Sequence, residues 1–130
     1  MTTTAATLAK EERIVSKKLM SSLFESSSSR VVTCFPLRAV YLLVPRNGEC
    51  PPVQFLVSVP KKRLRHAVDR NRAKRQVREA YRLNKQQLWP SIADDQSLAI
   101  AFVWMSDKPR HSHRVSQSVS HILHQIAEQL

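Results

Sequence analysis

Glycine is almost absent from this sequence of 130 residues, which contains only Gly48. Loops that cradle phosphates need several glycines to let the backbone approach the ligand, so this class of nucleotide site is excluded. Acidic residues are also scarce, because ten Asp and Glu stand against twenty-one Lys and Arg, a net charge of +11. Such an excess works against compactness and indicates a polyanionic partner, with RNA, DNA and anionic membrane surfaces as the candidates.

Cysteines and long apolar runs are equally few. Cys34 and Cys50 form no CxxC motif and have no matching histidine spacing, so both are predicted to be reduced and structural. The longest apolar run, residues 98–105, is far shorter than the ~20 residues needed to cross a bilayer. Residues 1–8 lack a basic start and an apolar run, so no secretory signal is expected and the protein is predicted to be cytoplasmic.

Length and apolar content predict one domain with one core over residues 8–130, after a frayed segment at residues 1–7. Apolar periodicity predicts helices and strands in the order αβββαβα, with helices on one face of a sheet. The helices are predicted at residues 10–24, 67–88 and 112–129, and the strands at 30–35, 37–44, 53–59 and 98–105. Asn47-Gly48 and the nearby prolines predict a hairpin loop between the second and third strands, and Trp89-Pro90 is expected to break the second helix.

Positive charge is concentrated between Lys61 and Lys85, where eleven Lys and Arg face two acidic residues for a net +9. On a helix these residues separate into two sides. Ala73, Val77, Ala80, Tyr81 and Leu88 fall on one side, and Asn71, Arg75, Arg78 and Arg82 form a stripe on another, flanked by Arg72 and Lys74. Arginine matches phosphate bidentately and stacks on bases, and Asn71 suits a sugar or a base edge. This segment is therefore predicted to be the main RNA-binding surface.

A solvated helix face is the alternative interpretation of the stripe. Such faces normally mix charges of both signs so that neighbours one turn apart attract. Here like charges lie adjacent and repel, which favours a binding surface for an absent counter-charge. Arg75→Ala with Arg78→Ala is accordingly expected to weaken RNA binding.

The same segment carries a recognisable signature, SVxKK followed by AVxRNRxKRxxRE. In this sequence it falls on Ser58-Val59-Pro60-Lys61-Lys62, Ala67-Val68, Arg70-Asn71-Arg72, Lys74-Arg75 and Arg78-Glu79. It closely resembles the signature of the bacterial ribonuclease P protein family. In that family a catalytic RNA removes the 5′ leader from precursor tRNA with magnesium ions held by the RNA, and the protein is a non-catalytic partner.

The resemblance implies an α+β, αβββαβα two-layer sandwich with a mostly antiparallel four-stranded sheet. Such a domain is like the second domain of a small-subunit ribosomal protein, with a left-handed β-α-β crossover against the general rule. It implies a protein without catalytic residues, a cofactor or a metal of its own, acting as a monomer in a 1:1 complex with ribonuclease P RNA. Precursor tRNA is the second implied partner, and neither DNA nor a membrane is expected.

Residue roles also follow from the resemblance. The catalytic RNA would be bound by Arg70, Asn71, Arg72, Lys74, Arg75, Arg78 and Arg82. The leader would enter a cleft between the first helix and the sheet, near Phe24, Met20, Lys17, Lys61 and Lys62. The family often has a second aromatic residue where this chain has Met20, and a glycine before SVxKK where it has Val57 or Leu56. A core role for Phe24 competes with base stacking.

Other functions remain open alternatives. A DNA-binding module would require a dimerisation seam or a helix-turn-helix, and neither pattern is evident. A ribosomal or ribosome-associated RNA-binding protein would have a similar composition, and only the signature argues against this alternative. A membrane-surface helix would need bulkier apolar residues than Ala73, Val77 and Ala80. An autonomous nuclease would need an acidic pair or a metal-spaced histidine cluster, and the histidines at 111, 113, 121 and 124 are predicted to be solvated.

Overall fold

The computed structural model describes residues 17–25, 28–46 and 52–130, with only the backbone described for residues 17–20. The helices are α1 (Lys17–Glu25), α2 (Ala67–Asn84) and α3 (Ser112–Gln129), and short 3-10 turns cover Lys85–Gln87 and Trp89–Ser91. The strands are β1 (Arg30–Cys34), β2 (Leu37–Pro45), β3 (Val53–Ser58) and β4 (Gln96–Trp104). The predicted α+β class and the order αβββαβα are confirmed. The predicted start of the first helix lies outside the described residues.

The strands of the described residues form one mixed sheet in the order β1-β2-β4-β3. β1 with β2 and β2 with β4 are antiparallel, whereas β3 and β4 are parallel, so the sheet is mixed and not mostly antiparallel as expected from the resemblance. The predicted hairpin between β2 and β3 is wrong because β4 lies between them. The nearly continuous apolar run of β4 is the physical reason, since a strand that is apolar on both faces belongs in the middle of a sheet. The loop residues 47–51 lie outside the described residues.

Parallel β3 and β4 are joined through α2, as parallel neighbours require a crossover connection. The left-handedness of this β3-α2-β4 connection stays a prediction. The helix is built from good helix formers such as Ala, Arg, Lys and Gln, and its ends carry Asp69 in the first turn and Arg82 in the last, which complement the helix dipole.

α2 ends at Asn84, four residues before the predicted end at Leu88. The chain tightens into 3-10 turns beyond it, a common way of closing a helix terminus. Trp89 Nε1 donates to the Tyr81 hydroxyl at 3.0 Å, which fixes this end of the helix against the core. Pro90 lies in the second 3-10 turn, beyond the end of α2. The prediction that Trp89-Pro90 breaks the helix is therefore wrong, because α2 has already ended at Asn84.

Alternation along the strands separates the sheet into two apolar faces. α2 and α3 cover one face, where the main core includes Leu37, Tyr41, Phe55, Tyr81, Leu98, Ile100, Phe102, Trp104, Val115 and Ile122. The opposite face holds a smaller core in which Leu23 of α1 packs against Val40, Ala99 and Ala101. The expectation of helices on a single face holds for α2 and α3 but not for α1. Periodicity shows that a helix has an apolar side, and not which face of the sheet that side meets.

Candidate nucleic-acid interface

The stripe on α2 faces away from the core. Ala73, Val77, Ala80 and Tyr81 are buried on the sheet side of the helix, as predicted. Of the residues proposed to bind RNA, Asn71, Arg72 and Arg75 are exposed, and Arg70, Lys74, Arg78 and Arg82 are half-buried. A helix held by a packed apolar side keeps the exposed cations in fixed relative positions, which is an arrangement suited to a polyanion.

Arg82 of the stripe pairs with an acidic neighbour that offsets its charge. Its Nη2 lies 2.6 Å from the Glu79 carboxylate, one turn away on the helix surface. The hydrogen bond from Arg82 lowers the pKa of the Glu79 carboxyl, with a smaller opposing contribution from burial. We therefore expect Arg82 to contribute less to anion binding than Arg72 or Arg75.

Arg70 has a structural task at the start of α2. Its Nη1 donates to the backbone oxygens of Leu64 and Arg65, at 3.0 and 2.8 Å. These bonds hold the loop between β3 and α2 against the first turn of the helix. Lys61 and Lys62 are exposed in this loop, so Arg70 positions them relative to the stripe. The sequence signature gave no indication of this second role.

Lys85 does not belong to the surface, although the predicted RNA-binding segment ended there. Its side chain is 1% exposed, and its ammonium lies 4.7 Å from the centre of the Trp89 ring, a cation–π contact. The helix ends just before Lys85, and the 3-10 turn directs this residue towards the core. The electropositive surface therefore ends at Arg82.

Replacing Lys85 with methionine is expected to leave RNA affinity and its salt dependence unchanged, because the buried ammonium cannot reach a phosphate. Lys74→Met, which makes the same change at a half-buried position on α2, is the matched control. It should reduce the slope of log affinity against log salt by about 0.7, the value for one lost contact to a single strand. The measurement is filter binding over a salt series. An equal reduction of the salt slope in both variants would mean that Lys85 does contact the RNA.

The face of the sheet beneath α1 is only partly covered. Register places Thr33, Arg38, Val103 and Ser58 side by side across all four strands, on the same face as Val40. Thr33 and Arg38 are exposed and the other two are half-buried. Adjacent strands lie about 4.8 Å apart, so this row is roughly 14 Å long. We call it the open row.

The open row lies close to several residues predicted to contact the leader. Lys61 follows Ser58 by three residues, which places it near the β3 end of the row. Phe24 on α1 is 52% exposed, so a purely core role is wrong and its ring is available to a ligand. The side chains of Lys17 and Met20 lie outside the described residues. The row cannot be recognised in the sequence because its members are far apart along the chain.

The histidines of α3 and the cysteines do not form a metal site in the described part of the chain. No group of three or more His, Cys, Asp or Glu side chains is close enough there to hold an ion. Cys34 is a free, half-buried thiol packed against the main core, and Cys50 lies outside the described residues. Within the same part of the chain, no helix combines the length and apolar character that crossing a membrane would require.

The chain is similar to known proteins both in sequence and in fold. The family model for Ribonuclease P matches residues 8–127. A ribonuclease P protein component from Porphyromonas gingivalis is 41% identical over 121 residues, covering 92% of this chain and 86% of the relative. The RNase P protein of Staphylococcus aureus superposes with a TM-score of 0.67 at 21% identity, over 90% of this chain and 95% of that one. The protein from Thermotoga maritima gives 0.65 at 17% identity, over 88% and 96%.

Proposed function

Because this chain belongs to the ribonuclease P protein family, we propose that it binds the catalytic RNA of ribonuclease P through α2 and the 5′ leader of precursor tRNA through the opposite face. As a family member it is a protein component of an endoribonuclease that works with ribonuclease P RNA. In this proposal one copy of the chain joins one RNA. Magnesium ions held by that RNA carry out the hydrolysis, and the protein contributes binding.

The exposed stripe of α2 is the observation that carries the proposal. Asn71, Arg72 and Arg75 are exposed together on a helix whose other side is buried in the main core. Guanidinium groups pair bidentately with phosphate oxygens, and contacts of this kind fix the register of a protein on a nucleic acid. The stripe has the charge and rigidity that a folded catalytic RNA would require.

The open row supports the second half of the proposal. A single-stranded leader can lie across a sheet face when a cation meets its phosphates and an aromatic ring stacks on a base. Arg38 supplies an exposed cation in the row, and Lys61 and Lys62 lie near its β3 end. Phe24 supplies the exposed ring. Leader and catalytic RNA would therefore contact opposite sides of the same sheet.

The direct test is reconstitution with a bacterial ribonuclease P RNA and measurement of precursor-tRNA cleavage at low magnesium. We expect the protein to stimulate cleavage, because its cations reduce the repulsion between two RNA molecules that magnesium otherwise screens. Absence of stimulation, together with retained binding to structured RNA, would favour a ribosomal or ribosome-associated RNA-binding protein.

Phe24→Ala is expected to weaken binding of a precursor tRNA with its leader by about 1–3 kcal/mol, the range for one base stacked on an aromatic ring. Stability should change little because the ring is half exposed. Phe24→Leu is the matched control, since it keeps an apolar side chain but removes the ring. The measurement compares affinities for leader-bearing and leaderless tRNA. If both variants bind the leader like the original protein, Phe24 does not stack on it.

A further inference from the structure

The outward face of α3 is a second polar surface that the proposed function does not use. His113, Gln117, His121 and His124 recur at i, i+4, i+8 and i+11 and are all exposed. An open depression of about 710 Å³ runs along this face, which Arg114 and the end of the α2 segment also line. We call these residues, with Arg114, the α3 face. Like the stripe on α2, these residues share one side of their helix.

The α3 face is polar and poor in carboxylates. Among the described residues, no carboxylate lines the depression. The sequence of α3 contains one acidic residue, Glu128, at its far end, where it lies 3.6 Å from His124. Apart from the thiol of Cys34, the lining consists of a guanidinium, imidazoles, amides and hydroxyls. These groups donate hydrogen bonds to phosphate oxygens and to ribose hydroxyls, and imidazole rings also stack on bases.

The α3 face and the stripe on α2 are parts of one side of the molecule. Gln76 Nε2 donates to Ser112 Oγ at 3.0 Å, and Gln87 Nε2 donates to Ser120 Oγ at 3.2 Å. The two helices therefore run side by side in the same direction. Both cover the same face of the sheet, so both present their outer sides away from it. Axes of packed helices lie about 8–10 Å apart, a distance that one folded RNA can span.

We propose that the α3 face is a second contact surface for the RNA bound by α2, engaging its phosphate and ribose backbone. The inference rests on the proposed function, because α2 brings that RNA to the molecule. We favour a nucleic acid over an acidic protein segment because the neighbouring stripe on α2 is proposed to bind RNA on this side of the domain. Contact at α3 would then fix the rotation of the RNA about the axis of α2.

Two charge changes on α3 should move the affinity in opposite directions. Arg114→Ala is expected to weaken binding to ribonuclease P RNA several-fold and to reduce the salt slope by about 0.7. Glu128→Gln removes the repelling carboxylate and should tighten binding. Glu25→Gln makes the same change on α1, on the other side of the sheet, and should have no effect. If Arg114→Ala and Glu128→Gln both bind like the original protein, the α3 face does not contact RNA.

Photocrosslinking separates this inference from the proposed function. Benzoylphenylalanine is placed at Gln117 on α3, at Val68 on α2 and at Ser22 on α1, three exposed positions. Crosslinks to the RNA from positions 68 and 117, but not from 22, would support both ideas. A crosslink from 68 alone would overturn the α3 contact and leave the proposed function standing. No crosslink from either helix would overturn both.

Discussion

Simultaneous replacement of Arg72 and Arg75 with alanine should lower the affinity for ribonuclease P RNA by about 100-fold. Both side chains are exposed near the middle of α2, so their loss leaves the packed side of the helix intact. Two charge-assisted contacts worth about 1.5 kcal/mol each give roughly 3 kcal/mol, which corresponds to about two factors of ten. The free energy of unfolding should hardly change, because alanine is the best helix former.

The salt dependence of binding identifies the cause of that loss. Two lost phosphate contacts should reduce the slope of log affinity against log salt by about 1.4, at about 0.7 per contact with a single strand. Arg82→Ala is the matched control, since it removes one guanidinium from the same helix, and its charge is already offset by Glu79. If the double variant has normal affinity and an unchanged salt slope, the RNA binds another surface of the protein.

The stripe could be predicted from the sequence because the helical period determines both which residues of α2 are buried and which are exposed. In α2 the same helical spacing that buries Ala73, Val77 and Tyr81 also exposes Asn71 and Arg75. Local rules suffice when a helix packs by one side, because burial and exposure are then fixed by angle around the axis. The main core and the order of elements followed for the same reason.

Contacts between distant segments could not be predicted in this way. The turn residues near Asn47 indicate that β2 ends, but pairing depends on where β4 inserts, about fifty residues later along the chain. The burial of Lys85 and the bonds of Arg70 to its own loop depend on tertiary packing that overrides local preference. The family signature placed Arg70, and the charge count placed Lys85, within the predicted RNA-binding segment.

The open row illustrates the same limit most clearly. Thr33, Arg38, Val103 and Ser58 come from four strands and share no spacing in the sequence. Their neighbourhood follows from register, which pairs Arg38 with Thr33 on one side and Val103 on the other. The open row also depends on the position of α1, which lies on this face of the sheet without covering the row. The apolar pattern of α1 does not specify that position.

Leu23→Ala is expected to weaken binding at the proposed leader surface and to leave binding at the proposed catalytic-RNA surface intact. Leu23 is a fully buried α1 residue of the smaller core, where it meets Val40, Ala99 and Ala101. Truncating a buried leucine costs about 2–5 kcal/mol, and a short helix is marginal without tertiary packing. We expect the stability to fall by about 3 kcal/mol and α1 to lose its fixed position over the sheet. Binding of the leader should weaken accordingly.

Affinity for the catalytic RNA should survive the same substitution, because α2 and α3 pack on the opposite face around a separate core. Leu23→Met is the matched control, since it conserves volume and should retain both activities. The measurements are the affinity for leader-bearing tRNA, the affinity for ribonuclease P RNA, and denaturant unfolding of each variant. If Leu23→Ala remains folded and loses both affinities equally, the two surfaces are not independent. If only the leader is lost, the sheet itself separates the two contacts, with one RNA on each side.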